Sequence, residues 1–159
     1  MTVAARIMRK LAQNNRLANH RLLTACLMLQ PGEFEARRVS FFPSLKMTLN
    51  HILTVDWFYV DALEGGTLGP KAWDPEEPFD AIMAETRVHR TGRIQIERTD
   101  DLLLHLFMHQ THHRGQVHAM LAGSSVRPPQ LDEFLTASDF RDRVADMATL
   151  GWSEAELGA

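Results

Sequence analysis

The chain has 159 residues, 45% hydrophobic and 23% charged, the composition of one ordinary globular domain spanning 1–159 with material for a single core. Seventeen basic against twenty acidic residues give a formal charge of −3, and Lys and Arg form no stripe of the kind phosphate backbones need, which argues against nucleic acid as a partner. No apolar run approaches the roughly 20 residues that span a bilayer, and Arg6, Arg9 and Lys10 lead into Gln13, Asn14 and Asn15 rather than into the apolar stretch of a signal peptide.

The expectation is a soluble, cytoplasmic protein with no membrane contact. The single cysteine, Cys26, agrees with a reducing compartment. It reads as a small buried side chain on the first helix rather than as a reactive thiol.

Residues 3–29 repeat apolar groups at helical spacing, with Ile7, Leu11, Ala18, Leu22, Ala25 and Leu29 on one stripe, Thr2 as cap and Pro31-Gly32 as stop. A loop follows, in which Ser40-Phe41-Phe42-Pro43 leads into a second helix from about Ser44 to Leu63, stopped by Gly65-Gly66. That helix is apolar on two sides. Met47, Val55, Phe58 and Ala62 share a face with Thr48 and His51, while Leu49, Leu53, Trp57 and Val60 cover the opposite face, which suggests burial against a partner subunit as well as within the domain.

Residues 64–78 read as a Gly- and Pro-rich loop, Pro78–Glu85 as about two helical turns, and Val88–Ile96 as a short hairpin around Thr91-Gly92. Asp100 is the expected cap of a helix from about Asp101 to Leu121, closed by Gly123. After a connector with Pro128-Pro129, a C-terminal helix from about Ser138 to Leu150 presents Phe140, Val144 and Met147 before Gly151.

Four of the eight histidines lie between His105 and His113. His109 and His113 stand at i and i+4, where two imidazoles leave one helix face close enough to hold a single metal ion. The spacing is that of H-E-x-x-H zinc peptidases, but Gln110 replaces the glutamate, so two ligands are kept and the peptidase base is missing. At about 100° per residue, His109 and His113 share a stripe with Leu102, Leu106, Gln116, Val117 and Met120 and so face the core. Two stacked imidazoles there need a partner, and a metal is the economical one.

Two ligands rarely suffice. His51, in the middle of the second helix, also points into a core, where on its own pattern it is equally a hydrogen-bonded core histidine. His105 and His109 repeat the 109/113 geometry, but one ion cannot readily take both His105 and His113, about 12 Å apart along the helix. His112 flanks the stripe, His118 points away from it, and His20 and His89 have no ligand-like spacing; structural or surface roles are expected of all four.

Phe41-Phe42-Pro43-Ser44, then Leu49-Asn50-His51-Ile52-Leu53 with Asp56 and Trp57, then His109-Gln110-Thr111-His112-His113-Arg114-Gly115-Gln116 followed by Ala119-Met120-Leu121, resemble the DinB/YfiT-like superfamily. The likeness continues through Pro128 to Phe134, and the ordered pair of segments is more specific than either alone. Despite its name, the family is distinct from the DNA polymerase called DinB.

The resemblance implies an all-α four-helix bundle, usually dimeric, that holds a divalent metal through three histidines of the second and fourth helices. By position these are His51, His109 and His113. It implies zinc, nickel, iron or manganese with open coordination positions, and a small-molecule substrate. The reaction class is hydrolysis or transfer of a low-molecular-weight thiol, with a non-catalytic, stress-related metal-binding dimer as the alternative. The family's third helix is long, whereas only Pro78–Glu85 is available here before the hairpin-like stretch. Either this helix is truncated or residues near Ala84–Val88 are absent from the sequence.

Smaller expectations attach to other positions. Asp56 either orients a ligand from behind or, more plainly, is solvated or salt-bridged. Gln116 is positioned to hydrogen-bond a bound water, Arg114 to form a structural ion pair, and Asn14 or Asn15 to face the pocket. Trp57, Trp73 and Trp152 read as packing or interface residues.

Overall fold

Thr2 opens the first helix as its position predicts: its hydroxyl accepts the N–H of Ala5 at 3.2 Å, satisfying one of the amides a helix start leaves unpaired. The computed structural model describes residues 2–65, 98–132 and 136–158. Helix α1 runs Val3–Leu27, α2 Leu45–Leu63, α3 Thr99–Leu121, α4 Phe140–Leu150 and α5 Glu154–Gly158, with a 3₁₀ turn at Ala137–Asp139 before α4. No strand occurs among the described residues, and the fold is an all-α bundle. The expected helix at 78–85 and hairpin at 88–96, with Trp73 and His89, lie outside the described residues. No described helix is long and apolar enough to cross a membrane.

The main core lies where α1, α2 and α3 meet. Leu22, Leu45, Ile52, Val117, Met120 and Leu121 form one buried cluster, and Ala25, Cys26, Leu29, Phe34, Leu49 and Leu131 close around it. Cys26 is part of this packing, and burial pushes its thiol pKa up, with Arg38 opposing, so the structural role expected of it holds. The predicted stripe of α1 is buried only in its second half. Ala18 and Leu22 are covered, as is Leu17 beside the stripe, whereas Ile7 is 49% exposed.

A second, smaller cluster docks the C-terminal helices onto α1. Leu17 and Met147 are its buried centre, with Leu150, Trp152 and Leu157 around them. Polar groups fix the docking: Arg21 reaches Asp146 at 2.7 Å and the carbonyls of Gln130 and Asp142, and Gln13 donates to Glu156 O at 2.9 Å. The Arg16 guanidinium lies 4.7 Å over the Trp152 ring.

Besides Thr2, helix ends follow the sequence in three places and depart from it in two. Ser44 caps α2 through Met47 N at 3.1 Å, Gly65 takes φ 74° just past α2, and Gly151 ends α4 at φ 70°, a conformation that favours glycine. Asp100, the predicted cap of α3, instead lies within its first turn. Arg98 grips its carboxylate at 3.0 and 2.7 Å, so the carboxylate still complements the helix dipole but does not serve as the cap. Gly123 is not a left-handed terminator either; the hydroxyl of Ser124 accepts nothing from α3 but donates to Leu121 O at 2.8 Å, satisfying one of the last carbonyls.

Candidate metal centre

On α2 the side chains of Thr48, His51 and Val55 follow one another at i, i+3 and i+7, which puts His51 on the buried face. Thr48 and Thr54 tolerate burial because each hydroxyl donates to the carbonyl four residues back, Ser44 O and Asn50 O, both at 2.9 Å. Helix α3 packs against this face and brings His109 and His113 opposite His51. His51 and His113 are buried and His109 is half-buried.

The three imidazoles form one cluster. Ring centroids are 4.4 Å apart for His109 and His113, 4.6 Å for His51 and His113, and 4.9 Å for His51 and His109. One nitrogen from each falls within 4.8 Å of the others. His51 Nε2 and His109 Nε2 approach to 3.0 Å. Metal–imidazole bonds of about 2.0–2.1 Å place neighbouring ligand nitrogens about 2.9–3.4 Å apart for tetrahedral or octahedral angles, so this separation suits a shared ion. His51, His109 and His113 therefore form a group that could hold a metal ion.

The orientation of His113 is set by its neighbours. Its Nδ1–H donates to Gln116 Oε1 at 2.8 Å, which leaves the Nε2 lone pair for a metal. Gln116 in turn donates to His112 Nε2 at 3.1 Å. The sequence reading placed Gln116 against a bound water; the structure spends its amide on the two imidazoles instead. Burial holds the His113 pKa below the usual imidazole value, with Gln116 opposing and His112 adding to the decrease.

Phe42 is the participant that pattern reading did not single out. It is 3% exposed, and its ring meets His51 at 4.5 Å and His113 at 5.5 Å, screening one side of the cluster from water. Its sequence signal is its place in the family-like Phe41-Phe42-Pro43-Ser44 segment just before α2, which assigned it no role. His105 stacks between Tyr59 at 5.8 Å and His109 at 6.1 Å, one turn from the cluster and outside the three-nitrogen group. His20 lies far from the cluster, 3.7 Å from Asp146.

Gln110, on the other flank of the same core-facing surface, has a different task. It is fully buried and donates from Nε2 to Asp56 Oδ1 at 2.6 Å and to Ile52 O at 3.3 Å. Asp56 is thus half-buried and in no close ion pair, and burial pushes its pKa up to about 6 against the opposing pull of Arg114 and Gln110. Arg114, also buried, donates to Asn15 Oδ1 and to Thr111 Oγ1, and burial brings its pKa down to about 10 with Asp56 opposing. Arg114 therefore meets an amide and a hydroxyl where an ion pair was expected. Asn15, not Asn14, supplies that amide.

The model of the DinB family matches residues 1–91 and 83–139. No curated protein and no solved structure matches. The family match extends over both histidine-bearing helices and most of the chain, and the chain belongs to the DinB family.

Proposed function

We propose that this protein is a metal-dependent enzyme, a hydrolase or a low-molecular-weight thiol transferase, working on a small molecule with a divalent ion on His51, His109 and His113. The observation that carries the reading is the ligand count. Three imidazole nitrogens converge, and no fourth His, Cys, Asp or Glu joins their group among the described residues. Three protein ligands with an open position are the usual arrangement of catalytic sites, whereas structural zinc sites are closed by four.

A bound zinc, nickel, iron or manganese ion would supply Lewis acidity toward a water or a thiol. The chain's own groups do the rest. Gln116 holds His113 in one tautomer through Nδ1–H, and Phe42 keeps water off the His51 and His113 rings. A second reading, a non-catalytic, stress-related metal-binding dimer, draws on Asp56. The carboxylate nearest in sequence to His51 is committed to Gln110, so it is not poised as an acid or base beside the imidazoles.

Exposure of Leu53, Trp57 and Val60 on α2 supports a homodimer under either reading. Metal analysis of the purified chain with His51→Ala, His109→Ala and His113→Ala is the first test. Stoichiometric binding in the parent and its loss in each variant are expected; unchanged binding in His51→Ala would remove the site. A thiol and ester substrate panel then separates the classes, and inactivity throughout would favour the non-catalytic reading.

A further inference from the structure

Beside the imidazole cluster an open cleft of about 510 Å³ separates the connector at 38–41 from the C-terminal half of α3. Its size is that of small-molecule sites, which run from roughly 300 to 1,000 Å³. Arg38, Val39 and Phe41 line one side and Gln116 and Met120 the other. Both walls touch the proposed metal centre through a single side chain. Gln116 Oε1 accepts a hydrogen bond from His113 Nδ1–H, and the Phe41 ring meets Phe42, at 4.9 Å, which itself covers His51 and His113.

Among the described residues, Arg38 is the only charged group lining this cleft. Its Nη1 donates to Glu33 O at 2.8 Å and Ala36 O at 2.9 Å, and its backbone N–H donates to Pro43 O at 2.7 Å, so the guanidinium is anchored from one end. The nearby Glu33 carboxylate is already engaged by Gln30 N, Ser125 N and the Ser125 hydroxyl. The Nε and Nη2 donors of Arg38 meet no protein acceptor among the described residues. An immobilised guanidinium edge with two parallel N–H groups matches a carboxylate. The rest of the lining is largely apolar: Val39 and Phe41 are exposed at the mouth and Met120 is buried behind.

We propose that this cleft binds a small organic carboxylate with an apolar body, its carboxylate on the Nε–Nη2 edge of Arg38 and its body between Phe41 and Met120. As the anchoring end of the substrate, this ligand rests on the enzymatic reading above; as a binding site it does not. Gln116 joins the two regions, so a ligand in the cleft lies against the side chain that orients His113.

The test uses the full chain, ¹⁵N-labelled and stripped of metal with chelator, titrated with phenylacetate and with the uncharged phenylacetamide. Phenylacetate is expected to shift amides of 38–41 and 116–123 and to bind roughly tenfold more tightly than the amide, as a charge-assisted bidentate pair requires. Arg38→Gln should abolish that preference and Phe41→Ala should weaken both ligands alike. Arg38→Lys keeps the charge and an anchoring donor, so it guards against collapse of the connector, and it should bind phenylacetate more weakly than the parent. Equal affinity for acid and amide, shifts confined to other regions, or full affinity in Arg38→Lys would overturn the proposal. Zinc binding by the same sample reports on the histidines separately, so failure of the metal reading and failure of the cleft are distinct results.

Discussion

Gln116 Oε1 accepts Nδ1–H from His113 at 2.8 Å, and this bond decides which nitrogen of His113 is presented to the cluster. An imidazole free to exchange tautomers spends part of its time with a proton where a metal would bind. Gln116→Leu, similar in size but without the acceptor, is expected to lower metal affinity by roughly 10–100-fold, the usual effect of losing such a partner. Chelator competition measures it, and unchanged affinity with an intact helical spectrum would show that the amide does not orient the ligand.

Asp56 should give the fold a pH signature. Its pKa rises from 3.8 in the unfolded chain to about 6 in the folded one, so between those values the folded state holds more protons. Stability contributed by this group is therefore full below about pH 4 and is lost as pH rises through about 6, an effect on the order of 3 kcal/mol at most. Asp56→Asn cannot titrate there. Urea unfolding of metal-free protein at several pH values should show the variant gaining on the parent from pH 4 to pH 7, and a constant difference would contradict the buried, protonatable carboxylate.

Gly115 interrupts α3 without a steric reason: a methyl group there would meet nothing within 4 Å among the described residues, and the position is exposed. Gly115→Ala should stabilise the chain by about 0.5–1 kcal/mol through reduced backbone entropy of the unfolded state and better helix propensity. Thermal unfolding reads this as a rise of a few degrees. A fall would point to a surface packed against α3 in the assembled protein.

Arg143 should hold the C-terminal helices in place. It is 3% exposed and its guanidinium forks onto Glu154 at 2.9 and 2.7 Å while donating to Thr136 O at 2.8 Å. Glu154→Gln leaves the buried cation with a weaker partner. Because Glu154 is itself half exposed, the expected loss is modest, about 1–2 kcal/mol after allowance for solvent screening. Hydrogen exchange should then show faster opening of α4 and α5 than of α2 and α3; uniform exchange across all helices would argue against a separable C-terminal unit.

Helices α1 to α4, the starts at Thr2 and Ser44, the stops at Gly65 and Gly151, and the grouping of His109 with His113 were legible in the chain, because capping and i, i+4 spacing are local properties, whereas the short α5 was not. The third member of the cluster was legible only through the family-like segments around it. A lone histidine on an apolar helix face has the same pattern whether it ligates or packs, and only the docking of α2 on α3 brings His51 Nε2 to 3.0 Å from His109 Nε2. Tertiary structure likewise decided what Gln110, Asp56, Arg114 and Asn15 do, since their roles depend on which donor meets which acceptor across helices more than fifty residues apart in sequence. Phe42 and Arg38, on an irregular connector with no period to read, acquire their meaning only when that connector folds back against α3.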